Sequence, residues 1–248
     1  MVVHWGGYPV DLDELEDIQH SYRDCYGGTM PWVIEDCAHA FGASYKGRRI
    51  GNYGNFCAFS FQAIKHLTTG DGGALVSPWD HQWRRAKLLR WYGLDRTSSE
   101  DFRCKQNIHE WGYKFHMNDI NATIGLANFA QAKWNAVKHG TNGSDLYHAL
   151  KDADGVKLLE RKTDRVSADW VFTIRVERRK DFVKYMKECG IAVSQVHARN
   201  DKHECLKEFK AILPNTDLVC EDMICIPCGW WLTEEDKQYI VACIRKGW

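Results

Sequence analysis

Four side chains that can do chemistry follow hydrophobic runs in the first third of the sequence. Asp36 and His39 come after the run WVIE, Ser60 comes after FCAF, and Lys65 lies between Ser60 and the glycine-rich turn TGDGG. Ligands of open α/β sheets collect at the carboxyl ends of the strands. If these runs are strands, the first polar residues after them are therefore the candidates for a functional site.

Taken singly, each of these residues has an ordinary explanation, such as a helix cap or a solvated loop position. Together, a carboxylate, a hydroxyl and an amine at one sheet edge match what pyridoxal 5′-phosphate requires. The carboxylate of Asp36 would keep the pyridine nitrogen protonated, the hydroxyl of Ser60 would donate to the phosphate, and the amine of Lys65 would form a Schiff base. A free lysine, with a pKa of about 10.4, is a poor nucleophile at neutral pH, and a desolvated cationic site shifts it toward the reactive form.

The elements that must position these residues begin with a β-α-β unit. The runs VVHW (2–5) and WVIE (32–35) read as strands, and DLDELEDIQHSY (11–22) between them reads as a helix. Such a connection is normally right-handed and parallel, so we expect a parallel sheet that is buried on both faces. NFCAFSF (55–61) and GGALVS (72–77) add two strands to this sheet. The apolar stripe of the helix would comprise Leu12, Leu15, Ile18 and Tyr22.

Two helices and a long loop follow the fourth strand. Residues 80–92 are predicted to be one helix, and residues 117–134 a longer one with a register of apolar side chains. The loop at 93–113 exceeds the usual dozen or so residues, which suggests a functional or partner-facing segment. The apolar side of the first helix would comprise Trp83, Ala86, Leu89 and Trp91, and that of the second Ile120, Ile124, Ala127 and Ala130.

The pattern changes after about residue 135. We expect a helix, a strand at WVFTIRV (170–176), a helix at DFVKYMKEC (181–189) closed by Gly190, and a strand at AVSQVH (192–197). The last helix would start with a capping box at Thr233. Its buried residues would be Tyr239, Ile240, Cys243 and Ile244. The chain is therefore predicted to be α/β, with a large domain at 1–135 and a small α+β domain at 136–248.

Composition limits the kinds of partner. Lys+Arg and Asp+Glu are both 33 among 248 residues, so the formal net charge is +0. That balance gives no electrostatic attraction to nucleic acid or to an anionic membrane, and we expect small molecules or other protein chains as partners. The N-terminus has no basic n-region and no run approaches the length of a transmembrane helix. A cytoplasmic location is the default expectation.

The ten cysteines are interpreted as reduced, because the chain is not a small secreted scaffold and several of them lie within apolar patterns. One group has spacings that could suit zinc. Only one C-x-x-C is present in it and a partner pair is missing, so we expect no metal. The group comprises Cys220, Cys225 and Cys228, with His203 and Cys205 nearby.

The central block, VIEDCAHAFGASYKGRRIGNYGNFCAFSFQAIKHLTTGDGGALVS (33–77), resembles the signature region of the DegT/StrS-like sugar aminotransferases. These are fold-type-I enzymes that depend on pyridoxal phosphate. The resemblance continues through GYKFHMNDINATIGLANF (112–129) and LPNTDLVCEDMICIPCGWWLTEEDKQYI (213–240), so it spans nearly the whole chain. The central block is highly specific, and the two later blocks support it.

The resemblance implies roles for the residues of the central block. Lys65 would carry the internal aldimine and act as acid and base in the 1,3-proton shift, and Asp36 would pair with the pyridinium nitrogen. His39 would lie near the cofactor ring and its 3′-oxygen, and Ser60 would bind the phosphate. Gln62 would help to orient Ser60 or Lys65.

Residues outside the central block are implied less directly. The family reaches across its dimer interface with a polar residue from the segment that matches GYKFHMND, which here would be Lys114 or His116, although the segment departs from the common Asn/Arg pattern. Arg199 follows a predicted strand of the small domain. It would either meet a substrate carboxylate or sugar phosphate, or form a surface salt bridge.

The implied function is amino transfer from a donor amino acid, glutamate or glutamine by analogy, to a keto acceptor such as a nucleotide-linked keto sugar, by a homodimer or higher oligomer. Some relatives are dehydratases that carry histidine at the position of Lys65, so the lysine favours transamination. Two alternatives stay open. One is a shortened family member that lost turnover and acts as an interaction subunit, and the other is a lyase or racemase that uses the same cofactor.

By the same resemblance, the similarity starts partway through the large domain of the family. The N-terminal portion normally supplies a Gly-Thr or Gly-Ser turn for the phosphate and an aromatic residue that stacks on the pyridine ring. Neither has an evident counterpart before Asp36. We therefore expect a partial fold-type-I large domain, a weakly held cofactor, and strand edges that are covered by oligomerisation.

Overall fold

A computed structural model describes residues 1–99 and 102–248 of the chain. The predicted loop at 93–113 includes Glu100 and Asp101, which lie outside the described residues. The strands of the described part are β1 Val2–Val3, β2 Ile34–Asp36, β3 Ser44–Tyr45, β4 Arg48–Arg49, β5 Phe56–Ser60, β6 Gly73–Val76, β7 Val156–Leu158, β8 Arg165–Val166, β9 Phe172–Val176 and β10 Met223–Ile226. The α-helices are α1 Leu12–Tyr26, α2 Asp80–Leu89, α3 Asp119–Leu150, α4 Arg179–Glu188, α5 Pro214–Asp222 and α6 Glu234–Lys246.

The predicted four-stranded sheet is present, with the strand order β1-β2-β5-β6. β1, β2 and β5 are parallel, and β6 is antiparallel to β5. α1 connects β1 to β2. It starts where the Asp11 carboxylate accepts a hydrogen bond from the Glu14 amide, and it ends at Gly27 in the left-handed conformation with a φ of 90°. The mostly parallel α/β sheet predicted from the hydrophobic runs is confirmed.

The expectation that this sheet is buried on both faces is wrong. Ile34 of β2 is 44% exposed and Leu75 of β6 is 52% exposed. α1 buries Leu12, but Ile18 and Tyr22, which were predicted to continue its buried stripe, are exposed. One face of the sheet has a core, because side chains from the loops after β2 pack on it, whereas the described residues give the other face no comparable cover. The core comprises Leu12, Cys37, Ala40, Ala43, Tyr45, Ile50, Cys57 and Ala168.

α3 has 32 residues and passes through the predicted domain boundary at 135. Its N-cap is Asn118, whose side chain accepts a hydrogen bond from the Asn121 amide. The N-terminal half exposes apolar side chains, and the predicted stripe there is not buried. Leu146 and Leu150, near the C-terminal end, belong to a second core. A single continuous helix therefore joins the two predicted domains, and their division stays a prediction. The exposed apolar residues of the N-terminal half include Ile120, Ile124, Leu126 and Phe129.

The C-terminal part contains an antiparallel sheet with the order β10-β9-β7, and its core includes Phe182 of α4 and Ile240 of α6. β9 and α4 agree with the prediction, and Gly190 has the expected positive φ of 74°. The strand predicted at 192–197 is wrong, because among the described residues that segment makes only a single bridge, between Ser194 and Cys225. β8 pairs with β3, so a third sheet, with the order β4-β3-β8, joins the two parts of the chain.

α6 starts at the predicted capping box. The Thr233 side chain accepts from the Asp236 amide, and the Asp236 carboxylate accepts from the Thr233 amide. Ile240, Cys243 and Ile244 are buried as predicted, but Tyr239 is 53% exposed. Its hydroxyl donates to the Cys189 carbonyl at 3.1 Å. Within the described residues, no helix is both long enough and apolar enough to cross a membrane.

Candidate active site

The carboxyl ends of β2 and β5 bring Asp36 and Ser60 to one edge of the sheet. Asp36 is the last residue of β2 and pairs in register with Ala58 of β5, two residues before Ser60. One carboxylate oxygen of Asp36 accepts a hydrogen bond from the Ala38 amide at 3.0 Å. No hydrogen bond to its other oxygen is found within the described part of the chain. That oxygen is free to accept from a ligand.

Lys65 lies in the turn that follows β5. Its backbone amide donates to the Gln62 carbonyl at 3.0 Å, and the Gln62 amide donates to the Ser60 hydroxyl at 3.3 Å. The side-chain oxygen of Gln62 accepts from the Ile64 amide at 3.2 Å, so Gln62 orders the turn itself. Burial lowers the pKa of the Lys65 amine, and the negative charge of Asp36 partly opposes this effect. The two groups predicted to act together are therefore electrostatically coupled.

His39 lies in the turn after β2 and is 8% exposed. Its Nδ1 accepts a hydrogen bond from the Gly6 amide at 3.3 Å, which in the neutral ring leaves the proton on Nε2. Burial, and then the charge of Lys65, lower the pKa of His39 to about 4. At neutral pH, His39 is therefore an uncharged hydrogen-bond donor beside Lys65.

Trp170 contacts two of the candidate residues, and no sequence motif indicated it. The Lys65 Nζ lies 3.6 Å from the centroid of its ring, and the His39 ring stacks on it at 3.9 Å with an interplanar angle of 22°. The indole nitrogen donates to the Ile64 carbonyl at 2.9 Å across 106 positions of sequence. No local signal marks such a residue, because its partners lie in another part of the chain. In the sequence, Trp170 is only the first residue of the predicted strand WVFTIRV (170–176).

A buried polar network links β1 to β2 next to the edge of the sheet that carries Asp36. His4 and Glu35, both 0% exposed, are joined by a hydrogen bond of 2.8 Å between Nε2 and Oε2. The Asn55 side chain donates to the other Glu35 oxygen at 2.7 Å, and the Val10 amide donates to His4 Nδ1 at 3.2 Å. Both ring nitrogens of His4 and both oxygens of Glu35 are thus satisfied. The network fixes β1 against β2, the strand that carries Asp36.

Metal-ligating side chains meet at the same place. Among the described residues, His4, Glu35 and Cys37 form a group whose ligand atoms lie within 4.8 Å of one another. We interpret this group as structural, because His4 and Glu35 already have full sets of protein partners. The cysteines considered for zinc have other contacts: Cys225 Sγ lies 3.4 Å from the Thr173 hydroxyl, and Cys228 Sγ donates to the Asp169 carbonyl at 3.0 Å.

Lys114 and His116 are not brought to Lys65 within the described chain. Lys114 is exposed and bridges to Trp91, and the His116 ring packs 3.6 Å from the Trp91 ring. Burial, followed by the charge of Lys114, lowers the pKa of His116. The predicted contact of Lys114 or His116 across a dimer interface stays a prediction.

The Arg199 side chain is 6% exposed and already has partners. Its guanidinium pairs with Asp201 and, at 2.8 Å, with Asp217, and it donates to the Ala211 carbonyl at 2.7 Å. Of the two alternatives left open for Arg199, these contacts favour the ion pair over a substrate contact.

Comparisons with known proteins agree with the predicted resemblance. The model of the DegT/DnrJ/EryC1/StrS aminotransferase family matches residues 1–245. The crystal structure of AtS13 from Actinomadura melliaura is 46% identical with a TM-score of 0.96, and the match covers 100% of this chain and 66% of that one. Sugar aminotransferase CalS13 from Micromonospora echinospora is 40% identical with a TM-score of 0.93 and the same coverage.

A protein of Methanocaldococcus jannaschii is 28% identical over 258 residues, which cover 98% of this chain and 65% of that protein. The chain thus spans 65–66% of the length of these three relatives. Since the family model extends over almost all of its residues, the chain belongs to the DegT/DnrJ/EryC1/StrS aminotransferase family.

Proposed function

We propose that the chain carries the catalytic lysine of a pyridoxal-phosphate-dependent aminotransferase, which moves an amino group from an amino acid to a keto acceptor. The observation that supports this proposal is that Asp36 and Ser60 end two adjacent parallel strands, and that His39 and Lys65 lie in the turns that follow these strands. The proposed donor is glutamate or glutamine. The proposed acceptor is a nucleotide-linked keto sugar, which is supported by the similarity to sugar aminotransferase CalS13.

The donor set fits the cofactor. Asp36 offers an unpaired carboxylate oxygen to a protonated ring nitrogen, Ser60 offers a hydroxyl to a phosphate, and Lys65 offers an amine to an aldehyde. Bound pyridoxal phosphate would supply an electron sink for the bond that breaks at the α-carbon of the donor. The protein residues then have three tasks, which are to keep the ring nitrogen cationic, to fix the orientation of the cofactor, and to move one proton.

Lys65 would move that proton. With a cofactor bound, Nζ of Lys65 would take the proton from the α-carbon of the donor and deliver it to the cofactor carbon on the other side of the donor nitrogen, which is general acid–base catalysis by one group. Burial favours the free amine, because it lowers the pKa of Lys65. His39, neutral at pH 7, would donate a hydrogen bond from Nε2 to an oxygen of the bound cofactor without competing for its positive charge.

The test is covalent trapping. Purified protein is incubated with pyridoxal phosphate, reduced with borohydride, digested, and analysed by mass spectrometry. We expect the added mass on Lys65, its loss in Lys65→Ala, and its retention in Lys46→Ala, since Lys46 is an exposed lysine that pairs with Asp13. In a separate sample that is not reduced, incubation with glutamate should form pyridoxamine phosphate. Added mass spread over surface lysines, or unchanged yield in Lys65→Ala, would show that the proposal is wrong.

The second candidate function is an interaction subunit without turnover of its own. It is favoured by the apolar side chains left exposed on the sheet and on α3, such as Ile34, Leu75, Leu126 and Phe129. This function predicts no trapping on the isolated chain and a stable complex with a full-length family member. The first function predicts a homodimer or larger homo-oligomer that covers the same surface, measurable by analytical ultracentrifugation.

A further inference from the structure

The indole of Trp170 contacts both His39 and Lys65. The His39 ring centroid is 3.9 Å from that of Trp170 at an interplanar angle of 22°, and the Lys65 Nζ is 3.6 Å from the Trp170 ring centroid. The same indole therefore contacts both the imidazole of His39 and the amine of Lys65.

The indole is also fixed in its own plane. Its Nε1 donates to the Ile64 carbonyl at 2.9 Å, which is the backbone group directly before Lys65. The contact therefore ties the ring to the turn that carries the lysine. This hydrogen bond links two segments that are far apart in sequence.

The residue before Trp170 holds it there. Asp169 is 3% exposed and has a φ of 43°, a left-handed conformation that is uncommon outside glycine and is kept only when the surroundings enforce it. Its carboxylate accepts two hydrogen bonds from Arg161, at 2.6 and 3.0 Å, and one from the Ser167 hydroxyl at 2.8 Å. The carboxylate contacts hold the Asp169 turn, and this turn directs the indole toward Lys65.

The charged and titratable groups that face Lys65 are the carboxylate of Asp36 and the imidazoles of His39 and His66. Burial is the main cause that lowers the pKa of His39 to about 4 and that of His66 to about 3, so both rings are neutral at pH 7. Within the described residues, Asp36 and the electron-rich face of Trp170 are thus the groups that favour the ammonium form of Lys65.

We propose that Trp170 is a positioning residue that holds the Lys65 amine as an ammonium against its ring while the site contains no cofactor. The contact between the Lys65 amine and the Trp170 ring is given by the geometry, whereas its consequence for cofactor binding rests on the proposed function. A protonated amine has no lone pair with which to attack an aldehyde, so it must release its proton to solvent and leave the indole before it can react. Trp170 would thereby keep the lysine in place and unreactive toward stray electrophiles until a ligand enters.

The experiment measures the pKa of Lys65 in cofactor-free protein, from the rate at which an amine-reactive reagent labels it at a series of pH values. In Trp170→Leu the apolar cover stays and the π face is lost. The loss of a cation–π contact should lower the pKa of Lys65 by about 0.4 to 1.5. Because the fraction of free amine at neutral pH rises accordingly, labelling of Lys65 should be roughly three- to thirtyfold faster. The matched control is Trp83→Leu, since Lys87 lies 4.5 Å from the Trp83 ring. This control should alter the labelling of Lys87 and leave that of Lys65 unchanged.

A second arm keeps the shape of the side chain. Protein made with 5-fluorotryptophan has electron-poor indoles, so the pKa of Lys65 should fall again, and by less than in Trp170→Leu. Lys46, which lies over the Tyr45 ring and not over an indole, serves as the internal reference that should not change. This arm decides the question if Trp170→Leu does not fold.

An unchanged or higher pKa of Lys65 in fluorotryptophan protein would overturn the inference, and so would the same result in folded Trp170→Leu. The proposed function can fail separately. A lower pKa of Lys65 in both arms, together with no borohydride trapping on Lys65 in any variant, would support the proposed role of Trp170 and refute the aminotransferase function. Trapping on Lys65 with no change in its pKa would support the aminotransferase function and refute the proposed role of Trp170.

Discussion

Gly143 of α3 leaves the space in which the Asp169 carboxylate lies. A Cβ at position 143 would overlap that carboxylate and would lie 2.9 Å from the Asp169 Cβ, closer than real Cβ contacts. Gly143→Ala should therefore push the carboxylate away from Arg161 and release the turn that holds Trp170. The backbone of Gly143 is helical, so the substitution does not strain the helix itself.

The expected loss of stability follows from two opposing effects. Breaking a buried ion pair costs about 3 to 5 kcal/mol, and the lower end applies because the Arg161 side chain is 24% exposed. Replacing a helical glycine by alanine contributes about 1 kcal/mol in the other direction. The net result is a destabilisation of about 2 kcal/mol, which for a chain of this size lowers Tm by roughly 4 to 8 °C.

The assay is urea unfolding followed by circular dichroism, with a second glycine of the same helix as the control. A Cβ at Gly140 would meet only the Ser167 carbonyl oxygen, at 3.1 Å. Gly140→Ala should therefore stay within about 1 kcal/mol of the wild type, since the gain in helix propensity is offset by a tight contact. If Gly143→Ala proves as stable as Gly140→Ala, the packing of Asp169 against α3 does not hold the turn as described.

Three further changes test other parts of the structure. Burial keeps the pKa of His66 at about 3, below the value of about 6.5 in an unfolded chain, so the unfolded state takes up a proton first and stability falls as the pH drops from about 6.5 toward 3. In His66→Gln, the difference between the urea midpoints at pH 7 and pH 5 should shrink, and an undiminished difference would count against this assignment. Arg199→Ala should lower the unfolding midpoint, because Asp201 and Asp217 lose their partner, and leave the apparent donor constant unchanged; a raised constant would return Arg199 to the substrate site. Thr233→Ala should cost about 1 kcal/mol of stability through loss of the helix cap, while Lys65 trapping is retained.

Features of the chain that depend on neighbouring residues could be predicted from the sequence. The strands that carry Asp36 and Ser60, the glycine that ends α4 and the capping box at Thr233 are all local signals, and the structure contains each of them. The family resemblance also rests on contiguous blocks. The candidates Asp36, His39, Ser60 and Lys65 were chosen on similar local signals, since Asp36 and Ser60 directly follow hydrophobic runs and His39 and Lys65 lie a few positions further on. Their roles stay predictions.

Features that depend on distant parts of the chain could not be predicted in this way. The AVSQVH segment has strand propensity, but it finds no neighbouring strand beyond its bridge at Ser194, and a strand needs a paired edge. The apolar pattern around Ile34 predicts burial, yet burial depends on which element covers that face. Periodicity states that a side chain is apolar, but it does not state what packs against it.

Trp170 shows most clearly the difference between local sequence signals and contacts that depend on the folded chain. Its own neighbourhood in sequence predicts only a strand, whereas its position against Lys65 depends on a strained buried aspartate, an arginine that clamps it, and a helix glycine that makes room. Local order follows from short-range backbone and side-chain preferences, which neighbouring residues carry. The environment of the lysine depends on contacts between groups about a hundred residues apart, which exist only once the chain has folded.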